Sequence, residues 1–210
     1  MKSTTYFKRP ALFLFVTWVG LSTGWMCKEK VKNCVYTYDH SSTEFSWTAF
    51  KFTEKMGVSG TFDQVKVAPS SGGASAMLSI QGLAFVIPVE GLNSGKPDRD
   101  QKIIKNFFQN LGNKQEIRGQ VLSVDAGANT ALIEINLGDK KHQLEAMIEE
   151  GAEGELLLTG TMELGNWGAL DALKTLNQAC FEEHKGKDGI SKLWPDVMIK
   201  IKTTPIAECH

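Results

Sequence analysis

Residues 44–62, EFSWTAFKFTEKMGVSGTF, interleave apolar, polar and aromatic side chains at a spacing of two. That spacing sends successive side chains to opposite faces, which is a strand pattern. The break at Lys55-Met56-Gly57 and a second alternating run from Val58 make it two strands joined by a tight turn. Five large aromatics fall inside it: Phe45, Trp47, Phe50, Phe52 and Phe62. At this density they either fill a thick core or line the cavity of a closed barrel. The first suits a structural protein, the second a carrier of an apolar ligand. Phe45, Trp47 and Ala49 share one parity and Phe50 and Phe52 the other, so a bulge is expected near Ala49–Lys51.

The rest of the chain extends the strand reading. A short strand is expected over Val35–Asp39 and a turn at His40-Ser41-Ser42. Gly57 and Gly60 bracket the next strand, which runs to about Val67. A loop at 69–75 (PSSGGAS) precedes a long apolar strand over about 76–90. Four more are expected at about 115–125, 129–138, 142–150 and 155–164, with glycine-bearing turns between them. Val197, Ile199 and Ile201 make a last one, with Lys200 and Lys202 outward. Two helices interrupt the series. The first spans about 99–111, with Asp98 and Gln101 placed as a capping box and Ile103, Ile104, Phe107, Phe108 and Leu111 as one apolar stripe. The second covers about 167–184, with Leu170, Leu173, Leu176 and Cys180 inward. The sum is a mainly β protein: an antiparallel up-and-down barrel of about eight strands with two α-helices.

The first 26 residues read as an export signal. Lys2, Lys8 and Arg9 precede the apolar run Ala11–Leu21, and Ser22, Thr23 and Gly24 supply small residues for cleavage. Cys27 follows, as in LSTGWMC, which is similar to a bacterial lipoprotein box except that Met26 stands where a small residue is preferred. Lipidation of Cys27, cleavage near Gly24 without lipid, and an uncleaved anchor all stay open. Residues 27–33 would be a tether and 34–210 the barrel domain, exported to the periplasm. Without the leader, 20 basic side chains face 24 acidic ones. That balance, with no basic stripe, argues against nucleic acid as a partner.

Export favours disulfides. With Cys27 set aside, Cys34, Cys180 and Cys209 remain. Cys209 is penultimate and expected to fray. The pairing expected is therefore Cys34–Cys180, closing a loop of about 146 residues worth roughly 4–5 kcal/mol. Reduced, packed cysteines are the alternative.

No nucleophile elbow, metalloprotease helix, phosphate loop or dinucleotide fingerprint occurs, so no catalytic residue, metal ligand or cofactor is assigned. His184 reads as a surface residue at a helix end, and Asp39-His40 as a turn. Asp98, Arg99 and Asp100 fit helix capping, with a headgroup contact through the guanidinium as the alternative. Trp167 and Trp194 are read as staples for the second helix, or as rim residues.

Three segments together carry a family resemblance: KFTEKMGVSGTF, then GLNSGKPDRDQKIIKNFF, then LLLTGTMELGNW ahead of a helix. In order and spacing the chain resembles the YceI family over about 34–204. The resemblance implies an exported, lipocalin-like barrel that binds a polyisoprenoid-type lipid in an elongated central cavity, with no fixed catalytic set. The residues themselves agree: an eight-stranded barrel is near the size that holds one apolar ligand. The expected wall is Trp47, Phe62, Phe85, Ile133, Ile135, Leu158 and Met162, each of which is equally consistent with plain core. The partner is then a hydrophobic small molecule, an isoprenoid, isoprenoid-quinone or fatty lipid. A homodimer covering the open mouth is a further expectation. Two other functions stay open: a tethered interaction protein with a filled barrel, and a lipid-acting enzyme using His184, His40 or Lys51.

Overall fold

Alternation of buried and exposed side chains builds most of the molecule. In the computed structural model, which describes residues 33–68, 71–112 and 115–210, ten strands form one antiparallel sheet. In chain order the strands are β1 (Cys34–Thr37), β2 (Glu44–Lys51), β3 (Met56–Phe62), β4 (Lys66–Ala68), β5 (Ala84–Pro88), β6 (Leu92–Asn93), β7 (Glu116–Asp125), β8 (Thr130–Leu137), β9 (Lys140–Glu150), β10 (Leu156–Glu163), β11 (Leu193–Thr203) and β12 (Ile206–Cys209). The sheet order is β4-β5-β7-β8-β9-β10-β11-β2-β3-β6, and β1 and β12 pair separately. Three helices join them: α1 (Ala76–Ser79), α2 (Pro97–Asn106) and α3 (Leu170–Ala179).

The sheet curls on itself. Phe45 on β2 and Phe85 on β5 lie six strands apart in the ladder, yet their ring centroids are 5.7 Å apart. Curling brings alternate residues of every long strand inward; β8 buries Ala131, Ile133, Ile135 and Leu137 in strict alternation. The ladder stays open between β4 and β6, so this is a half-barrel with ten strands in its main sheet, two more than the eight expected.

Two inward aromatics lie flat over glycines on the facing strand. Trp47 sits opposite Gly60 and Phe85 opposite Gly119 in the register. A Cβ on Gly60 would come within 2.6 Å of the indole, and one on Gly119 within 2.1 Å of the phenyl ring. Glycine is what allows the rings to lie down there.

The expected bulge is present at the level of Ala49–Lys51, but the extra residues are on the partner strand. Val197 pairs with Ala49 and Leu193 with Lys51, so β11 loops out between them. Just beyond, Phe52 has φ 63°, a left-handed conformation costly for a bulky residue. It is held by its N–H to the Lys192 carbonyl at 3.0 Å and by its carbonyl, which accepts from Trp194 Nε1 at 2.7 Å.

Several boundaries differ from expectation. The segment 76–90 is not one strand. Ala76, Met77, Ile80 and Leu83 are buried at helical spacing, Ser75 caps α1, and Gly82 turns the chain with φ 81°. α2 starts at Pro97, whose missing N–H is no loss in a first turn, and no side chain caps its N-terminus. The second helix is shorter than 167–184: it is α3, flanked by 3-10 turns at Leu164–Trp167 and Glu182–His184.

The cysteine pairing expected from the sequence is corrected. The disulfide is Cys34–Cys209, and Cys180 is a free, buried thiol. Far from fraying, the C-terminal segment is a strand, and β1 and β12 pair in a register that sets Cys34 directly opposite Cys209. Cys180 instead caps the C-terminus of α3. The signal segment 1–26, Cys27 and the tether to residue 32 lie outside the described residues.

Candidate functional site

The two longer helices close one end of the curled sheet, and a two-chambered cavity lies beneath them. The outer chamber, about 560 Å³, is bounded by β2, β11, the start of α2 and the end of α3. The inner chamber, about 120 Å³, is lined entirely by apolar residues, among them Phe62, Leu92, Phe107, Phe108, Met162 and Leu164. Trp47, Ala49, Ile103, Leu173, Leu176 and Val197 line both and form the throat. The helical contributors come from the apolar stripes of α2 and α3, which bridge sheet to cavity.

The mouth is polar and mostly basic. Lys51, Lys96, Arg99 and Lys102 line it, with Asp98 and Glu183. Asp100 is buried just behind and accepts from the Ser94 N–H at 3.0 Å and from the Ser94 hydroxyl. Arg99 donates from Nε to Ser94 Oγ at 2.7 Å and from Nη2 to the Ser94 carbonyl at 2.5 Å. Asp100 thus serves the fold, whereas Arg99 both braces that loop and faces the cavity. Lys102 pairs with Glu183. Lys51 Nζ donates to the Glu183 carbonyl at 3.0 Å and lies 4.4 Å from the Phe52 ring centroid. Burial, then the cations of Arg99 and Lys96, hold Lys51 below the usual lysine range.

His184 is half-buried in the same wall. Its Nδ1 donates to Asn177 Oδ1 at 3.0 Å, and Asn177 is fixed by donating to the Ser191 carbonyl at 3.2 Å. Burial first, and Lys51 next, push its pKa down from 6.5 to about 4. It is therefore neutral at ordinary pH. Burial also pushes the Cys180 thiol up, which keeps it protonated and a weak nucleophile. Among the described residues, no three His, Cys, Asp or Glu side chains converge as a metal site.

The seven expected wall residues divide. Trp47 stands at the throat, and Phe62 and Met162 line the inner chamber. Phe85 and Leu158 line a separate void of about 30 Å³ with Phe45 and Val121, deeper in the curled sheet. Ile133 and Ile135 are buried core and border neither chamber; the Ile135 carbonyl accepts from Trp167 Nε1 at 2.9 Å. That bond makes Trp167 a staple, while Trp194 lines the mouth. Beside the strand residues Leu92, Ile117, Leu137, Val197 and Ile199, the lining residues missed were the helical ones, Ile103, Phe107, Phe108, Leu173 and Leu176. Their stripes were visible in the sequence but read only as packing.

No family model and no curated protein matches the sequence. Solved structures do. A polyisoprenoid-binding domain from Saccharophagus degradans, implicated in plant cell wall breakdown, superposes with a TM-score of 0.55 at 12% identity, over 82% of this chain and 98% of that one. BcnA from Burkholderia cenocepacia gives 0.51 at 10% identity, over 81% and 99%. The Campylobacter jejuni YceI protein gives 0.51 at 16% identity, over 75% and 89%. The chain therefore shares the fold of these proteins.

Proposed function

We propose that this chain is a YceI-family protein that holds a long apolar ligand, an isoprenoid or isoprenoid-quinone, in the two-chambered cavity, as an exported carrier or store. The observation that carries the reading is the apolar inner chamber reached through a throat from an open mouth. The combined size falls in the range of small-molecule sites. Each buried methylene of a ligand gains about 0.8 kcal/mol, so a chain of a few isoprene units binds by burial alone. A likeness in fold to a domain described as polyisoprenoid-binding supports the same chemistry. The disulfide fits an oxidising compartment, and Cys27 is the candidate point of a lipid anchor. The role is binding rather than turnover: the histidine nearest the cavity is tied to Asn177, and the thiol is protonated.

The test is mass spectrometry of the organic extract from natively purified protein, beside a Leu176→Trp variant. Leu176 lines both chambers, so an indole there fills the throat. A stoichiometric isoprenoid or fatty species in the wild type, lost in the variant, is expected. A clean wild-type extract after incubation with membrane lipids refutes the reading.

A further inference from the structure

The cavity stops short of the far end of the curled sheet. The outer and inner chambers share six lining residues, but among the described residues none lines both the inner chamber and the void of about 30 Å³ beyond it. The two spaces are neighbours all the same. On β2 Trp47 borders the inner chamber and the next inward residue, Phe45, borders the void; on β11 the same step separates Ile199 from Ile201. A layer of side chains divides them, so the elongated central cavity that the resemblance implies is cut in two.

That layer is built over glycines. On β7 the inner chamber ends at Ile117 and the void begins at Val121; on β10 the two limits are Met162 and Leu158. The inward position between them is Gly119 on the first strand and Gly160 on the second. Neither strand sends a side chain into that level, and Phe85 and Leu144 lie across the space instead. A Cβ on Gly119 would come within 2.1 Å of the Phe85 ring, and one on Gly160 within 3.0 Å of Leu144 Cδ2. The Phe45 ring backs Phe85, with 5.7 Å between centroids, and all three side chains are buried. A close-packed layer of this kind does not part without forfeiting its own contacts.

We infer that Phe85 and Leu144 are the floor of the ligand cavity and fix the length it accepts, so that the protein takes prenyl chains of about three to four isoprene units and turns long polyprenyl chains away. This rests on the apolar-chain reading above. Lys51 at the rim and Trp47 at the throat lie on β2 with about 13 Å of strand between them, at roughly 3.3 Å a residue. An extended isoprene unit spans four carbon–carbon bonds, roughly 5 Å. About two to three straight units therefore reach the floor, and the broader outer chamber of about 560 Å³ takes one more by bending. Ile199 to Thr203 on β11 covers the same length again, so an open bore would hold roughly twice the chain. A unit that does not fit stays in water outside the mouth and gains nothing from burial.

The experiment is a competition for chain length. Purified protein is incubated with phosphatidylcholine vesicles loaded equally with farnesol, geranylgeraniol and solanesol, uncharged alcohols of three, four and nine isoprene units. The protein is then re-isolated and the alcohols it carries are measured by mass spectrometry. The wild type should carry farnesol and geranylgeraniol at least about tenfold over solanesol, because the units of solanesol left outside the cavity would exchange membrane for water. Phe85→Ala and Leu144→Ala, each checked for folding by circular dichroism, should raise the solanesol share at least about threefold. Solanesol carried by the wild type as well as farnesol overturns the floor and leaves the apolar cavity standing. A folded variant whose solanesol share is unchanged overturns the assignment of that residue. Should Phe85→Ala fail to fold, Phe85→Leu takes its place, and the wild-type ratio needs no variant. Failure to carry any of the three alcohols overturns the cavity reading itself.

Discussion

Gly60→Ala should damage stability and ligand binding together, because one glycine sets the position of the throat tryptophan. An alanine Cβ there would lie 2.6 Å from Trp47 Cζ2 and 2.6 Å from the Asn93 carbonyl oxygen. Ordinary contact is about 3.5–4 Å, so each neighbour must retreat by about 1 Å. The indole can move only into the throat. Asn93 belongs to β6, where it pairs with Thr61, and backbone in a ladder yields poorly. Overpacking of this kind costs about 1–3 kcal/mol, and the backbone obstacle puts Gly60 in the upper part of that range. Replacing glycine stiffens the unfolded chain and returns about 0.4–1 kcal/mol. The net is about 2 kcal/mol, or a melting temperature lower by roughly 4–8 °C in a domain of this size. Denaturant titration and calorimetry measure it, with Gly160→Ala as the control. There the added Cβ would meet Leu144 Cδ2 at 3.0 Å and the Glu145 carbonyl oxygen at 3.2 Å, contacts that ask for shifts of a few tenths of an ångström rather than about 1 Å, at a cost of about 1 kcal/mol. Ligand affinity should fall with Gly60→Ala and hold with Gly160→Ala. A Gly60→Ala protein as stable and as tightly binding as the wild type would refute the argument that glycine places the indole.

Three further outcomes are expected. Reducing the Cys34–Cys209 bond opens a loop spanning 175 residues and should lower stability by up to about 5 kcal/mol on the chain-entropy account, read as a shift in denaturant midpoint with and without reductant. Protonation of His184 is opposed in the folded state, so stability should be flat above pH 6.5 and decline as pH falls from 6.5 towards about 4. Screening at this half-open site holds that loss to about 1–2 kcal/mol, and His184→Gln should flatten this part of the profile. Trp167→Phe removes the indole's bond to the Ile135 carbonyl, which keeps its ladder bond to β9, whereas Trp47→Phe breaks no hydrogen bond; without ligand, the first should cost about 0.5–1.5 kcal/mol more than the second in chemical denaturation.

The sequence was most legible where one face of a strand is buried and turns are short. From Glu116 to Glu163 alternation runs through most of each strand, broken by a bulge at Leu122, and the four strands there lie within two residues of their expected bounds. It was least legible at 76–83, where small and apolar residues satisfy both periods. Gly82, with its positive φ, was the sign that one strand could not run through. Cys209 was misjudged because a chain end gains order only from a partner, and that partner, β1, is almost the whole domain away in sequence. The mouth was hidden for a similar reason. Lys51, Lys96, Lys102 and His184 each look like ordinary surface residues, and only the curl of the sheet under α2 and α3 brings them together. On β8 the parity was right and the depth was not: Ile133 and Ile135 point inward into packed core, and on that face only Leu137, at the strand's end, reaches the inner chamber.

The bond between β1 and β12 also decides how the domain carries a pull. Cys34 and Cys209 have Cα atoms 4.0 Å apart, so the segments leaving the domain at either end depart from one covalent knot. Tension applied through residues 33 and 210 runs across that knot, and the ten-stranded sheet bears none of it. A force-extension record should show no unfolding step while the bond is intact. After reduction the load passes to the ladder, and full unravelling of the residues between the two cysteines should lengthen the tether by about 600 Å.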